Sequence, residues 1–254
     1  MGSPERAPLA SELIVLTALA GEAEALLAGA APFPGAPAPG AFFRRTLASG
    51  RTVLVGFTGM GPAVARETAR AAVRLGSPLV LAGVGGALRP DLQPGDLVLL
   101  EASQRDASST SRMAFDPALT AELGRVFEAA GLPFRRGESV ELASIAGTGE
   151  QKRALAARVP GAAVVAMEDL AVLEVAREAG IPCAAFRVVV DRIDDKVPDL
   201  TGALDGAGRP RPLHFAAKIA RSPTLALALP GLARSFLASR ATLDPALEAV
   251  LGLA

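Results

Sequence analysis

Short apolar runs alternate with longer stretches of helical periodicity along most of this chain, and this alternation constrains its fold more than any other feature. Buried strands read as continuous apolar runs of about four to eight residues, whereas amphipathic helices repeat their apolar positions every three to four residues. Strands that alternate with helices are typical of a sheet covered by helices on both faces. We therefore expect an α/β fold with three α/β/α layers around a central mixed, mostly parallel twisted sheet.

The same patterns give the individual elements. Strands are predicted at residues 13–18, 42–47, 52–57, 79–82, 96–101, 139–145, 162–166 and 183–190, the second and third as a hairpin. Helices are predicted at residues 62–75, 117–130, 150–158, 168–179, 213–221, 223–239 and 245–251. Residues 30–40 and 192–213 are rich in Pro and Gly and are predicted to be loops. Residues 1–254 are expected to form a single domain, with a disordered tail at 1–11 and C-terminal helices within 213–254.

The composition excludes several classes of function. Among 254 residues, 26 Lys and Arg balance 26 Asp and Glu, which gives no electrostatic footprint for nucleic acid or an anionic membrane. One cysteine, Cys183, and one histidine, His214, can form neither a disulfide nor a His/Cys metal cluster within one chain. No apolar run reaches the ~20 residues that span a bilayer, and Glu12 interrupts the only stretch resembling a signal peptide. We expect a cytoplasmic protein without a metal.

Glycines lie where two predicted strands end. Gly59-Met60-Gly61 joins a strand to a helix, and Gly83-Val84-Gly85-Gly86 follows the next strand. Ligands of open α/β sheets bind outside the carboxyl ends of strands, where glycine lets them approach the backbone. The first cluster could be a dinucleotide fingerprint, but its third glycine is missing and no acidic residue ends a second strand ~20 residues later. A tight strand-to-helix turn that requires glycine is the better explanation, and such a junction can also bind a phosphate or another polar group of a ligand.

Three longer segments carry a resemblance to a known family. Residues 17–27 (TALAGEAEALL) resemble a first strand followed by a turn with a glutamate. Residues 83–99 (GVGGALRPDLQPGDLVL) combine a glycine cluster with Pro-Gly-Asp and a strand, and residues 165–191 (VAMEDLAVLEVAREAGIPCAAFRVVVD) combine Met-Glu, a helix and a strand that ends in Asp. In this order they resemble the nucleoside phosphorylase/nucleosidase superfamily, which cleaves the bond between a base and a ribose. With the turn and helix at 59–73, the resemblance covers roughly residues 12–195.

The resemblance implies roles for particular residues. Asp191 matches the acid that protonates or hydrogen-bonds purine N7, Glu168 the glutamate that binds the ribose hydroxyls, and Met167 the methionine that packs on the sugar. Glu22 has the spacing of the nucleosidase glutamate that activates water. Each carboxylate also has an ordinary explanation, because Asp and Glu favour loop caps and the first turns of helices.

The attacking group is either this water or phosphate, which is the one co-substrate we expect; no organic cofactor is implied. Phosphate would need arginines, and Arg44, Arg45, Arg89 and Arg112 are all candidates. Arg187, four residues before Asp191 in the predicted strand, shares its face and is expected to position a carboxylate or to face a neighbouring subunit.

The chain also departs from the family pattern. Val84 and Val190 replace a Ser or Thr and a Ser, and no aromatic residue lies near 147–152 to stack on the base. We expect Phe186 or the segment 192–215 to hold the base instead, with Gly59, Gly83, Val84 and Gly85 also contacting substrate. His214 is a weaker candidate for the site.

The C-terminal residues 192–254 resemble the hopanoid-associated phosphorylases, which act on adenosylhopane. Futalosine hydrolase and methylthioadenosine/S-adenosylhomocysteine nucleosidase are the rival groups. The predicted substrate is thus a small-molecule purine nucleoside, a 5′-substituted adenosine, and a homo-oligomer is expected by analogy. A catalytically weak nucleoside-binding protein on the same fold is the alternative from another functional class.

Overall fold

The computed structural model describes residues 13–34, 42–105, 111–197 and 223–254. Within these ranges it contains eleven strands: β1 (Leu13–Thr17), β2 (Ala31–Pro32), β3 (Phe42–Thr46), β4 (Thr52–Phe57), β5 (Leu79–Leu81), β6 (Val84–Ala87), β7 (Leu97–Arg105), β8 (Met113–Ala114), β9 (Phe134–Glu141), β10 (Ala162–Ala166) and β11 (Cys183–Asp191). The helices are α1 (Glu24–Leu27), α2 (Pro62–Val73), α3 (Pro117–Ala129), α4 (Gly149–Arg158), α5 (Asp169–Glu178) and α6 (Pro223–Val250), with 3₁₀ turns at Ala20–Glu22 and Leu251–Leu253.

All eleven strands belong to one sheet, in the order β2-β3-β4-β1-β5-β11-β6-β10-β9-β7-β8. β1 pairs in parallel with β4 and β5, β11 in parallel with β5 and β6, and the β3–β4 hairpin is antiparallel, as predicted. β11 also pairs with β7, in antiparallel fashion, so β11, β6, β10, β9 and β7 form a closed ring. The sheet therefore consists of an open part, β2-β3-β4-β1-β5, and a closed ring, and both parts pair with β11.

Helices cover both faces of the sheet. Successive residues of β1 point to opposite sides, so Ile14 and Leu16 pack with α2 and α5, whereas Leu13 and Val15 pack with α3 and α6. Every residue of β1 is buried, as expected for a central strand between two helical layers. The predicted three-layer α/β fold with a mixed sheet is confirmed.

Two predicted strand assignments need correction. The strand predicted at 139–145 is β9, which begins at Phe134 and ends at Glu141. The first residues of β9 do not show the apolar pattern of a buried strand. Arg135 and Arg136 face solvent and pair with Asp91 and Glu101. The glycine cluster at 83–86, expected as the end of a strand, mostly forms a strand of its own, β6, between β11 and β10.

The C-terminal helices also differ from prediction. The helices predicted at 223–239 and 245–251 form one helix, α6, in which Pro245 is an interior residue. A proline inside a helix costs about 3 kcal/mol, but Leu243, Leu247 and Val250 on the same helix are fully buried against the sheet. Burying three such side chains is worth about 1.5–3 kcal/mol each, which outweighs the lost hydrogen bond. Residues 1–11, the predicted helix at 213–221 and His214 lie outside the described residues.

A search of the described helices for a membrane-spanning segment finds none with sufficient length and hydropathy.

Candidate active site

A cavity of about 190 Å³ lies at one end of the sheet, between segments that follow β1, β4, β9, β10 and β11. Its charged lining residues are Glu22, Lys152, Glu168 and Asp191. The rest of the lining consists of aliphatic residues, methionines, glycines and one serine, and no aromatic ring of the described residues reaches it. Four ionisable groups in an otherwise apolar cavity are the typical arrangement of a catalytic site rather than of a structural void.

Glu168 lies two residues after the end of β10 and occupies the N-cap position of α5, but its side chain makes no capping hydrogen bond to that helix. Its Oε1 accepts a hydrogen bond from the backbone N–H of Gly61 at 3.0 Å, and its Oε2 lies 3.6 Å from Nη2 of Arg187. Burial raises the pKa of Glu168 to about 7, although Arg187 and the Gly61 N–H oppose this shift. Glu168 thus lies at the N-terminus of α5 without a capping hydrogen bond, and its carboxylate is held instead by the glycine turn at 59–61.

Glu22 ends the 3₁₀ turn after β1 and is buried. Its carboxylate accepts hydrogen bonds from the backbone N–H groups of Leu19 and Val84, each at 2.9 Å. Burial raises the pKa of Glu22, and the nearby Arg187 acts in the opposite direction. Gly83 makes this arrangement possible, because a Cβ there would lie 2.7 Å from Nη1 of Arg187 and 2.8 Å from Oε1 of Glu22.

Arg187 is fully buried and lies among three carboxylates. Its Nε donates to Oδ1 of Asp169 at 3.0 Å, its Nη2 donates to the same oxygen, and its Nη1 lies 3.5 Å from the carbonyl oxygen of Ala82. Its positive charge also acts on Glu22 and Glu168. Of the two roles expected from the sequence, the structure thus supports the positioning of carboxylates.

Asp191 ends β11 and forms a buried ion pair with Lys152 of α4, a residue that the sequence analysis did not single out. Lys152 Nζ also donates to the carbonyl oxygen of Arg192 at 2.7 Å. The buried residues of α4 are Gly149, Lys152 and Leu155, which are spaced three apart on one helix face. The sequence signal for this residue was therefore a lysine at a helix position whose neighbours three residues away on either side are buried.

The structure brings together most of the predicted site residues, but not all. Val84, Gly85 and Met167 line the cavity, whereas Gly83 lies behind Glu22. Gly59 does not line it; its N–H donates to the carbonyl oxygen of Ala18.

Phe186 is not at the cavity, contrary to expectation. It is fully buried in the core and packs edge-on against Phe127, with ring centroids 5.2 Å apart. The cause is strand alternation, because Phe186 is adjacent to Arg187 on β11 and so points to the opposite face, together with Ala184 and Val188. Met60, which was not predicted, lines the cavity in addition to Met167. Cys183 is buried, as expected of a small core residue.

Glu141, at the end of β9, is a buried carboxylate outside the cavity. It accepts a hydrogen bond from the backbone N–H of Ala171 at 2.7 Å, while its other oxygen has no hydrogen-bond partner among the described residues. Burial raises its pKa to about 7, and the charge of Asp169 adds to this. A folded-state pKa above the unfolded value of 4.5 means that the protonated form stabilises the fold below pH 4.5 and that this contribution is lost as the pH rises through 7.

Glu141→Gln is therefore expected to weaken the pH dependence of stability. A shift of this size corresponds to about 3 kcal/mol between pH 4.5 and pH 8, and the neutral amide should remove most of it. Urea unfolding at both pH values measures the difference, with Glu122→Gln, on the exposed face of α3, as the control. A variant that loses as much stability as wild type over this interval would contradict the assignment.

Comparisons with known proteins identify the family and the fold of the chain. The sequence profile of the phosphorylase superfamily matches residues 12–221. No curated protein matches the chain.

Several solved structures have the same fold. A candidate 5′-methylthioadenosine/S-adenosylhomocysteine nucleosidase from Francisella philomiragia has a TM-score of 0.70 at 16% identity, over 96% of this chain and 98% of that chain. A mutant of the methylthioadenosine nucleosidase from Helicobacter pylori, with 5′-methylthioadenosine in its active site, has a TM-score of 0.69 at 14% identity, over 96% and 97%. A futalosine hydrolase mutant from the same organism has a TM-score of 0.62 at 18% identity, over 70% and 88%.

Proposed function

The chain belongs to the phosphorylase superfamily, and from this premise we propose that it cleaves the N-glycosidic bond of a purine nucleoside by hydrolysis. One observation carries the proposal: the carboxylates of Glu22 and Glu168 and the Asp191–Lys152 ion pair line one small cavity. Cleavage of this bond needs a group that stabilises a ribosyl cation, a group that activates the nucleophile and a proton for the departing base. The cavity contains a candidate for each.

Glu168 is the candidate for the ribose. Its carboxylate can accept hydrogen bonds from two adjacent hydroxyls and favours the positive charge that develops on the sugar as the bond breaks. The Gly61 N–H holds it in place from behind, so the carboxylate needs little rearrangement during the reaction. Met167 lines the cavity next to it and can pack on the sugar.

Glu22 is the candidate that activates water. A carboxylate whose pKa is raised by burial is a stronger base than one in water, which suits it to accept a proton from the attacking water. Its anchor on β6 is Val84, whereas Asp191 pairs with Gly86 of the same strand. Val84 and Gly86 are ~7 Å apart along the strand. The water beside Glu22 and the base beside Asp191 are therefore proposed to bind at separate ends of the cavity.

Hydrolysis is favoured over phosphorolysis by the charges. A phosphate dianion beside two buried carboxylates would need a free cation, but Arg187 is already engaged by Asp169 and Lys152 by Asp191. None of the four arginines considered from the sequence lines the cavity: Arg45 pairs with Glu248, Arg89 with Asp91 and Arg112 with Glu138, and Arg44 is exposed on β3. Water, being neutral, needs no such partner.

The base is proposed to lie between aliphatic walls at the Asp191 end. Val165 and Val190 line this part of the cavity. The Asp191 carboxylate can accept a hydrogen bond from the exocyclic amine of adenine, which supports an adenosine derivative.

The 5′ substituent is proposed to be apolar. Leu19, Met60 and Ile145 line the cavity, and the last two keep 37% of their surface exposed. An alkyl group or a longer hydrocarbon on the 5′ carbon would cover this surface, in accordance with the expected likeness to hopanoid-associated enzymes. The expected homo-oligomer and cytoplasmic location stay predictions.

The decisive experiment is an assay of free base from a series of 5′-substituted adenosines, with and without phosphate. We expect the same rate in both buffers and ribose rather than ribose 1-phosphate as the product. Release that requires phosphate would replace hydrolysis by phosphorolysis. Tight binding of the nucleosides without any release of base would favour the nucleoside-binding alternative.

A further inference from the structure

The N-terminus of α5 is capped by a residue from another element. In most helices the N-cap side chain accepts a hydrogen bond from the backbone N–H of the second or third helical residue. Glu168 is the N-cap residue of α5, but its side chain makes no such bond. The N–H of Ala171, the third residue of the helix, donates instead to Oε2 of Glu141 at 2.7 Å. Glu141 ends β9 and lies 30 positions earlier in the chain, so a strand residue caps this helix.

The cap from β9 leaves the carboxylate of Glu168 available to the cavity. That carboxylate is held there by the N–H of Gly61 at 3.0 Å and lies 3.6 Å from Nη2 of Arg187. It is also a competitor for the Ala171 N–H, because an N-cap side chain and the third N–H of the helix form the standard capping pair. Glu141 occupies this N–H and so excludes Glu168 from it.

Burial makes the competition consequential. The side chain of Glu141 is only 1% exposed, and its hydrogen bond to Ala171 is buried. Without Glu141 the Ala171 N–H would be a buried donor without this partner, which is unfavourable. Rotation of the Glu168 side chain onto its own helix would supply a new acceptor, and a negative charge is stabilised at a helix N-terminus. The same rotation would withdraw the carboxylate from Gly61 and from the cavity.

The proposed function assigns the ribose hydroxyls to Glu168, and on that function we propose that Glu141 is a positioning residue, which caps α5 from β9 and thereby keeps the ribose-binding carboxylate in the cavity. Glu141 does not line the cavity, so it acts through Glu168. The capping bond needs an oxygen acceptor and not a charge, since a carboxylate, a carboxyl group and an amide each have an oxygen that accepts.

Three substitutions at position 141 separate the acceptor from the charge. Glu141→Gln keeps the acceptor and removes the charge, Glu141→Asp keeps the charge but withdraws the acceptor by one methylene, and Glu141→Leu removes both. The measured quantity is kcat/KM for a purine nucleoside that the wild type cleaves, divided by kcat/KM for its 2′-deoxy counterpart. A hydrogen bond between a hydroxyl and a charged group should make this ratio about 10–100 in wild type. We expect Glu141→Gln to keep the ratio and the other two variants to lower it by about tenfold; Glu141→Asp carries the test if Glu141→Leu does not fold.

A double-mutant cycle with Glu168→Gln tests whether the two residues act as one. Glu168→Gln should lower the same ratio directly. If Glu141 acts through Glu168, adding Glu141→Asp to Glu168→Gln should change the ratio no further, whereas independent effects multiply. Val140→Ala is the matched control for general destabilisation, because Val140 is the fully buried neighbour on β9. It should lower the stability and leave the ratio as in wild type.

The outcomes that contradict the assignment are distinct from those that contradict the hydrolysis. Effects that multiply in the cycle, or a Glu141→Gln that loses the preference for ribose while Glu141→Asp keeps it, would overturn the role of Glu141. An unchanged ratio in Glu141→Asp and Glu141→Leu would also overturn it, since the Ala171 N–H would then have another acceptor, such as the unpaired Oδ2 of Asp169. A wild type that releases base from no nucleoside would refute the proposed hydrolysis instead, and the same ratio taken from the dissociation constants of the two nucleosides would still test Glu141.

Discussion

Glu22→Gln is expected to lower the rate of base release by about 10²–10⁴, the usual contribution of a general base. Glutamine has nearly the same shape and can still accept a hydrogen bond from the N–H of Leu19 or Val84, but it cannot take a proton from water. The loss should appear in kcat, because the substrate does not depend on Glu22 for its binding. Single-turnover assays on the wild type and the variant, at saturating nucleoside, measure this step directly.

Glu24→Gln is the matched control for this substitution. Glu24 lies two residues further along, is exposed and pairs with Arg240 on α6 rather than with any group in the cavity. Its replacement should change kcat by less than twofold. If Glu22→Gln retained wild-type turnover while the affinity for nucleoside fell, Glu22 would be a binding residue and water would have to be activated elsewhere.

Arg187→Met is expected to be the most destabilising single substitution considered for the described residues, by about 3–5 kcal/mol. The arginine is the buried cation that Glu22, Glu168 and Asp169 share, and its removal leaves three carboxylates near one another in an apolar interior. The loss in the free energy of unfolding should be larger at pH 8 than at pH 5. At the lower pH, Glu22 and Glu168, whose pKa values are already raised, become neutral.

Urea unfolding at the two pH values tests this expectation. Arg136→Met is the control, since Arg136 is exposed on β9 and its partner Glu101 is exposed as well; its effect should stay within about 0.5 kcal/mol. A destabilisation by Arg187→Met that is the same at both pH values would mean that lost packing, and not unpaired charge, is its cause.

The sequence was sufficient to predict most of the fold because burial determines its pattern. Strands such as β1 are apolar on both faces, and no solvent-facing residues interrupt the pattern. Prediction failed where tertiary contacts outweigh local preference: Pro245 lies inside a helix that is stabilised by its buried face, and the first half of β9 is polar because its arginines face solvent. In both cases the structure depends on contacts with residues distant in the sequence, and local sequence patterns do not reveal these contacts.

The candidate site shows the same division. Glu22, Glu168 and Asp191 could be found because each stands at a fixed position relative to a strand end, and all three line the cavity. Lys152 was missed because it is 39 positions from its partner Asp191, and the one local signal was its place on the same helix face as the buried Gly149 and Leu155. Phe186 was misplaced because the parity of its position in β11 was not taken into account.

The double role of β11 has a consequence for how the chain matures during synthesis. β5, β6 and β7 are all made earlier, yet each takes β11 as a neighbour, and Arg187 and Asp191 are on that strand. A nascent chain that has not yet emerged as far as β11 has an open ring, and Glu22 and Glu168 lack their counter-ion. Pairing across such long sequence separations is slow, so a chain truncated before β11 is expected to lack both the closed ring and the counter-ion of its two buried glutamates.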